Sequence, residues 1–99
     1  MDKQQAFADK LQGRIDEFSA EIQKLKAKAS QAEAQGRIEI QSRLDSLKIR
    51  RDDVADRLEA IRRASEDSWE ELRQGADDAL EALTKGVRET RERVTEALR

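Results

Sequence analysis

Residues 64–71 read Ala-Ser-Glu-Asp-Ser-Trp-Glu-Glu and carry the strongest signals of a helix boundary in the 99-residue chain. Serine is a preferred N-cap residue, and Ser68 stands three residues before Glu71, which is the spacing of a capping box. Acidic residues favour the first turn of a helix, whereas Arg62 and Arg63, just upstream, suit the last turn of a preceding helix. The stretch therefore predicts that one helix ends near residue 64 and that another begins near residue 68.

On both sides of this boundary, apolar residues recur once per helical turn. From Phe7 to Leu98, successive positions of this apolar stripe are three or four residues apart. The mean step is about 3.64 residues, which lies between the values of a heptad and an 11-residue repeat. The residues between these positions are mostly good helix formers such as Ala, Glu, Lys, Arg and Gln. The pattern predicts an all-α, coiled-coil-like protein that forms a single domain over residues 1–99.

The supply of apolar residues limits how wide the stripe can be. The chain has 22 large apolar residues and 14 alanines, or 36 in all. A globular bundle helix typically has about three apolar residues in seven, which would require about 42 in this chain. A two-stranded seam needs only about two in seven. The shortage therefore favours a long helical hairpin, with one helix over about 3–63, a break at about 64–68 and a second helix over about 68–98.

Two other architectures are compatible with the same pattern. A second break near Gly36, which is a possible helix-terminating residue, would give a three-helix bundle. An unbroken helix within an oligomer would need no break at all. The particle length separates the first two models. A hairpin dimer would form a rod of roughly 150 Å, whereas a bundle would measure about 50 Å, at ~1.5 Å of rise per residue.

The hairpin model divides the stripe into two parts. The short second arm covers only the later part of the first arm, so the early stripe would remain exposed and would mark an association surface. We therefore expect a homo-oligomer, most simply an antiparallel dimer, that pairs through Phe7, Leu11, Ile15, Phe18, Ile22 and Leu25. The predicted hairpin seam consists of Leu44, Leu47, Val54, Leu58, Ile61, Trp69, Leu72, Leu80, Leu83 and Val87.

The distribution of charge along the chain also supports a break near residue 65. Residues 37–64 have a net charge of +2, whereas residues 65–99 have a net charge of −4. Charges of opposite sign on the flanks of a seam influence which helices pair and in which orientation. Two glycines of the second arm, Gly75 and Gly86, are 11 residues apart and share a face. They either allow close approach of another helix or are simply tolerated at the surface.

Composition excludes several kinds of chemistry. The chain has no His and no Cys, so it lacks the ligands of common zinc sites and the residues of a Cys nucleophile or a Ser-His-Asp triad. Paired acids occur at Asp52-Asp53, Glu70-Glu71 and Asp77-Asp78. Such pairs are typical of the solvent-exposed side of a helix. We therefore expect no enzymatic activity, no cofactor, no metal site and no catalytic residue. The net charge of −2 argues against nucleic-acid binding.

The distribution of apolar residues also predicts the localisation of the protein and bears on membrane binding. The longest apolar run is residues 6–8, far below the ~20 residues of a membrane span, and the N-terminus lacks the apolar region of a secretory signal. We expect a cytoplasmic protein. The alternative function is peripheral lipid binding through an amphipathic helix over residues 66–98. Its acidic first half disfavours that alternative, because helices that bind anionic lipid usually have basic polar faces.

Residues 64–83, with the pattern Trp-Glu-x-Leu-x-x-Gly over 69–75, resemble a family of small bacterial coiled-coil proteins often described as stress-response or uncharacterised proteins. Residues 22–29 (Ile-Gln-Lys-Leu-Lys-Ala-Lys-Ala) and 34–39 (Ala-Gln-Gly-Arg-Ile-Glu) are similar to the earlier half of such proteins. Family members usually have a helix former at the position of Gly36. The resemblance implies a bacterial, cytoplasmic, stress-associated accessory protein, and it supplies no site residues. The function expected from sequence is thus that of a self-associating scaffold or interaction protein.

Overall fold

A computed structural model describes residues 2–99 as three α-helices joined by two short turns. The helices are α1 (Lys3–Ala29), α2 (Ala34–Arg63) and α3 (Trp69–Ala97). Each turn reverses the chain, so α2 runs antiparallel to both α1 and α3, and every pair of helices packs together. The bundle measures 51 × 19 × 16 Å. This length matches the bundle expected from the three-helix alternative, and the all-α prediction is confirmed.

The predicted uninterrupted helix over 3–63 is wrong, because the chain turns at residues 30–33. Ser30 ends α1 by donating a hydrogen bond from Oγ to the carbonyl oxygen of Ala27 at 2.7 Å. The extra break lies a few residues before Gly36, which is helical and has no positive φ. The periodicity did not reveal the turn because Ala29 and Ala32 are both buried, so the apolar stripe keeps its phase through the reversal.

The second predicted break is present at the expected place. α2 ends at Arg63, and Ser68 is the N-cap of α3, which begins at Trp69. The capping box is not formed, because no side chain caps the helix and the Ser68 Oγ lies 2.7 Å from the Ser65 Oγ. The two serines instead hydrogen-bond to each other within the turn.

The stripe forms one continuous core that is shared by all three helices. Its large buried side chains come from positions spaced once per turn, and each fully buried aliphatic side chain contributes about 1.5–3 kcal/mol. Alanines beside the stripe extend it, since Ala55, Ala64, Ala79 and Ala97 pack against the core while partly exposed. The stripe-width argument wrongly favoured two strands, because this slender three-helix core is built from far fewer buried apolar residues than the about 42 that the argument required.

Candidate interaction surface

The predicted self-association stripe of α1 lies inside the bundle. Its six residues are all buried, because α2 and α3 of the same chain cover them: Phe7, Leu11, Ile15, Phe18, Ile22 and Leu25. The expected exposed surface on α1 is therefore absent, and the area mismatch that led to the self-association prediction does not exist. Self-association itself stays a prediction, and it requires a different surface.

Nine of the ten residues of the predicted hairpin seam lie in the core that all three helices share, and the tenth is largely outside it. Leu72 is 40% exposed. The other nine residues belong to the core of the bundle: Leu44, Leu47, Val54, Leu58, Ile61, Trp69, Leu80, Leu83 and Val87. The lipid-binding alternative depended on the same apolar face of α3, so α3 would have to leave the bundle before that face could contact a membrane.

Trp69 closes the core at one end of the bundle. It is 4% exposed, and its ring centroid lies 5.9 Å from that of Phe7 on α1. The guanidinium of Arg73 lies over both rings, at 5.2 Å from the Phe7 centroid and 5.9 Å from the Trp69 centroid, within the range of a cation–π interaction. Gln4 joins the same end to α2, since its Nε2 donates to the carbonyl oxygens of Ile61 at 2.8 Å and Ala64 at 2.9 Å.

Ion pairs join the helices at the opposite end of the bundle. Arg93 of α3 donates two hydrogen bonds to Glu39 of α2, with Nε–Oε1 and Nη2–Oε2 distances of 2.9 and 2.6 Å. These bonds lower the pKa of the Glu39 carboxyl below its usual value and raise the pKa of Arg93. Arg91 reaches α1 through a contact of 3.0 Å between its Nε and the Glu21 Oε1. The C-terminal part of α3 is therefore tied to both other helices.

The glycines Gly75 and Gly86 face α2, which confirms close approach at Gly86. A Cβ at Gly86 would lie 2.7 Å from the Leu47 Cδ2 and 2.6 Å from the Arg50 Nη1. The same guanidinium nitrogen donates to the carbonyl oxygen of Ala82 at 3.1 Å. At Gly75 a Cβ would meet only the guanidinium of Arg57, with the Nη1 at 2.6 Å. Small residues on this face of α3 thus leave room for arginine side chains of α2.

The outer face of α2 carries the most exposed large apolar side chains in the described residues 2–99. Ile38 and Ile49 are each 72% exposed. They are 11 residues apart, and at about 100° per residue they project in nearly the same direction. The buried residues Leu44 and Leu47 lie on the opposite side of the helix. We call the side of α2 that carries Ile38 and Ile49, together with the exposed polar residues between them, the α2 outer face.

The surroundings of Ile38 are mostly uncharged. A shallow groove beside it is lined by Ala34, Arg37, Ile38, Gln41, Ser42 and Asp45. Towards the C-terminal end the same face carries the exposed residues Asp52, Asp53 and Asp56. Asp52 forms an ion pair with Arg51 and Asp53 forms one with Arg57 of the same helix. Sequence reasoning missed this surface because both isoleucines lie off the apolar stripe. Their 11-residue spacing is the signal that would have identified them.

The paired acids form no candidate metal site. Within residues 2–99, no group of three or more carboxylates is close enough to hold an ion. No helix in that part of the chain has the length and apolar character needed to span a bilayer.

The comparisons with known proteins identify no relative of this chain. No model of a known protein family matches the chain, and neither the curated proteins nor the solved structures include a significant match. The fold is a slender three-helix bundle with two exposed isoleucines, Ile38 and Ile49, on the outside of α2.

Proposed function

We propose that this protein is a non-enzymatic interaction protein that self-associates through the α2 outer face. The observation that supports the proposal is the exposure of two isoleucines on one side of a helix whose other side is already buried. Single exposed apolar residues are ordinary at a protein surface, but these two share one side of a helix and are the most exposed large apolar side chains of residues 2–99. A scaffold or stress-associated role in bacteria remains part of this proposal.

The energetics indicate a weak, reversible contact. Full burial of an isoleucine contributes about 1.5–3 kcal/mol, and most of the surface of Ile38 and Ile49 is available for burial. One helix face is smaller than the roughly 800 Å² per partner of a standard stable interface. We therefore expect a monomer–dimer equilibrium rather than a permanent dimer. Such a contact suits a scaffold that assembles when its local concentration rises.

Sedimentation over a wide range of protein concentrations tests the proposal. The wild type is expected to shift from monomer to dimer as concentration increases, and the double variant Ile38→Lys/Ile49→Lys is expected to bind itself at least about 10-fold more weakly, since two buried isoleucines outweigh the ~1.4 kcal/mol of that factor. The matched control is Ala20→Lys/Ala27→Lys, which adds the same charge to exposed positions of α1.

Two outcomes would overturn the proposal. One is a wild type that remains monomeric at the highest concentration reached. The other is an equal loss of association in the α1 control, which would show that added charge rather than the α2 outer face is responsible. Circular dichroism of each variant verifies that the helical content is unchanged, so that unfolding is not mistaken for dissociation.

A further inference from the structure

We infer that this chain also forms a domain-swapped dimer, in which the turn at residues 30–33 straightens and α1 packs on α2 and α3 of a second copy. Residues 3–63 then form one continuous helix in each copy, and the two long helices cross antiparallel about a two-fold axis at the former turn. The inference does not depend on the α2 outer face, because every core contact that it uses already exists within one bundle. The partner is a second copy of this chain, since the space that α1 leaves is shaped for an identical α1.

The backbone of this turn is close to that of a helix. Ser30 has the right-handed helical values of φ −63° and ψ −17°. Glu33 has a helical φ of −62°, and only its ψ of 156° is extended. Residues 30–33 include neither Gly nor Pro, and no residue within 2–99 has a positive φ other than, at most, a helical value. Rotation about a few bonds therefore converts the turn to helix, and Gln31, Ala32 and Glu33 are of types that favour helix.

Straightening also gives the start of α2 the hydrogen bonds that it lacks in the bundle. The N-cap residue Glu33 makes no side-chain hydrogen bond to the helix. The first backbone bond of α2 runs from the amide of Arg37 to the carbonyl oxygen of Glu33, at 2.9 Å. The amides of residues 33–36 therefore have no helical partner in the part of the chain that the structure describes. In a continuous helix they donate to the carbonyl oxygens of residues 29–32.

The core contacts of α1 are reproduced between the two copies. In the bundle the Gln4 Nε2 donates to the carbonyl oxygen of Ile61, so α1 and α2 pair about a point between positions 32 and 33. The same point becomes the two-fold axis of the swapped dimer. Because the apolar stripe keeps its phase through Ala29 and Ala32, a straight helix carries the buried residues of α1 and α2 on one side. Each α1 is then buried by the partner's α2 and α3.

The residues of the stripe at the crossing point are small. Ala29 and Ala32 are buried in the bundle. Gly36 lies beside them, since a Cβ at this position would be 3.7 Å from the Ala97 Cβ and 3.8 Å from the Ala32 Cβ. No large side chain of the stripe therefore holds the two straight helices apart where they cross.

The other turn, at residues 64–68, is held by more contacts. Gln4 of α1 donates to the carbonyl oxygen of Ala64 at 2.9 Å, and the Oγ atoms of Ser65 and Ser68 lie 2.7 Å apart. At residues 30–33, by contrast, the one side-chain hydrogen bond within residues 2–99 is that from Ser30 to the adjacent turn of α1. The turn between α1 and α2 is therefore the one that opens.

A proline at the start of α2 tests the inference, because it fits the bundle and not the continuous helix. Ala34 is the first residue of α2, where proline is favoured, and Glu33 has the extended backbone that precedes a proline. In the swapped dimer the same proline would lie inside a helix and disrupt it. Ala34→Gln is the matched control, since glutamine is compatible with both structures.

The assay is refolding from urea at high protein concentration, followed by dilution and sedimentation. Wild type and Ala34→Gln should yield a dimer that dissociates slowly, because α1 must leave a packed core before the copies separate. Ala34→Pro should form this dimer at least about 100-fold less readily, and its bundle should unfold no more easily than that of the wild type. Absence of a wild-type dimer, or equal yields from wild type and Ala34→Pro, would overturn the inference.

Two measurements on the isolated dimer identify the swap itself. Small-angle X-ray scattering should give a particle at least about 92 Å long, which is the length of a helix over residues 3–63 at ~1.5 Å per residue, against 51 Å for the bundle. Hydrogen exchange at the amides of residues 33–36 should be at least about tenfold slower in the dimer than in the monomer. A compact dimer, or unchanged exchange at these amides, would contradict a continuous helix.

The swapped dimer and the proposed function fail separately. The double variant Ile38→Lys/Ile49→Lys removes association of folded monomers through the α2 outer face, but it leaves the turn unchanged and should still swap on refolding. Ala34→Pro prevents the swap and keeps both isoleucines. If folded monomers never associate but refolding yields the long dimer, only the proposed function is wrong. If folded monomers associate rapidly and refolding yields no long dimer, only the swap is wrong.

Discussion

The four glycines of the chain provide a sharp test of how closely α2 and α3 approach. All four lie within helices. Replacing a glycine in the interior of a helix with alanine normally stabilises a protein by roughly 0.5–1 kcal/mol, because glycine has greater backbone freedom in the unfolded state. The structure predicts this gain at some positions and a loss at Gly86, so that the same substitution changes sign with the surroundings of the residue.

Gly13 and Gly75 are the positions where alanine should be accepted. A Cβ at Gly13 would have no atom within 4 Å, so the full gain of about 0.5–1 kcal/mol is expected. At Gly75 it would meet the Arg57 guanidinium, whose Nη1 is 2.6 Å away. That group is the end of a flexible, exposed side chain, and it swings aside at little cost. We expect Gly75→Ala to be neutral or stabilising.

Gly86→Ala should instead destabilise the bundle. The new Cβ would lie 2.7 Å from the Leu47 Cδ2, and Leu47 is 2% exposed in the core. Extra atoms in a packed core cost about 1–3 kcal/mol. The substitution also displaces Arg50 from the carbonyl oxygen of Ala82, a hydrogen bond worth about 0.5–1.5 kcal/mol. After subtracting the helix gain of about 1 kcal/mol, a net loss of roughly 0.5–3.5 kcal/mol remains.

Urea unfolding measured by circular dichroism and by Trp69 fluorescence gives the required free energies. A difference of 1 kcal/mol corresponds to about 4–8 °C in the melting temperature of a domain of this size. The variant Leu47→Ala isolates the clash, because Gly86→Ala should no longer destabilise the protein in that background. Equal stabilisation by alanine at Gly13, Gly75 and Gly86 would refute the close approach of α2 to α3.

Three further predictions concern the ends of the bundle. Gln4→Ala should lower the free energy of unfolding by about 1–2 kcal/mol, because it removes two hydrogen bonds, whereas Gln5→Ala, at an exposed position, should change it by less than about 0.5 kcal/mol. The pKa of Glu39 is lowered in the folded state by Arg93, so its contribution to stability is present above about pH 4.3 and is lost as the pH falls through the lowered pKa. Unfolding of Arg93→Gln should lack this part of the acid dependence, and identical pH profiles would contradict it. Acrylamide quenching of Trp69 should be weak and unchanged by neutral or anionic vesicles, whereas increased quenching with vesicles would show that lipid opens the bundle.

Much of the core could be predicted from sequence because burial follows the helical period. The stripe identified which residues are buried in α1, and it placed Trp69 at the start of α3. The turn at residues 30–33 could not be located in the same way. Alanine is a strong helix former, and Ala29 and Ala32 are spaced as they would be in a continuous helix. Contacts between residues distant in sequence hold α1 against α2 on either side of the turn, including the hydrogen bonds from Gln4 to the carbonyl oxygens of Ile61 and Ala64.

The stripe of α1 that was predicted to be exposed is buried for a related reason. A stripe that is exposed on an isolated hairpin arm is covered when a third helix packs on it, so one unrecognised turn converts a predicted interface into a core. Ile38 and Ile49, which lie outside the apolar stripe, are then the exposed apolar residues that remain on α2. Their exposure depends only on their position opposite the buried side of α2, which helical geometry determines once the stripe is known.

The scarcity of large apolar residues strengthens the argument for a function at the α2 outer face. Only 22 such residues are available, and a bundle this slender needs nearly all of them for its core. Leu72 and Leu98 are each about 40% exposed and lie near the ends of α3, where a core residue is only partly covered. Ile38 and Ile49 differ, because they lie along the length of α2 on the side away from the core and contribute little to packing within one chain. Burial of those side chains therefore requires another molecule.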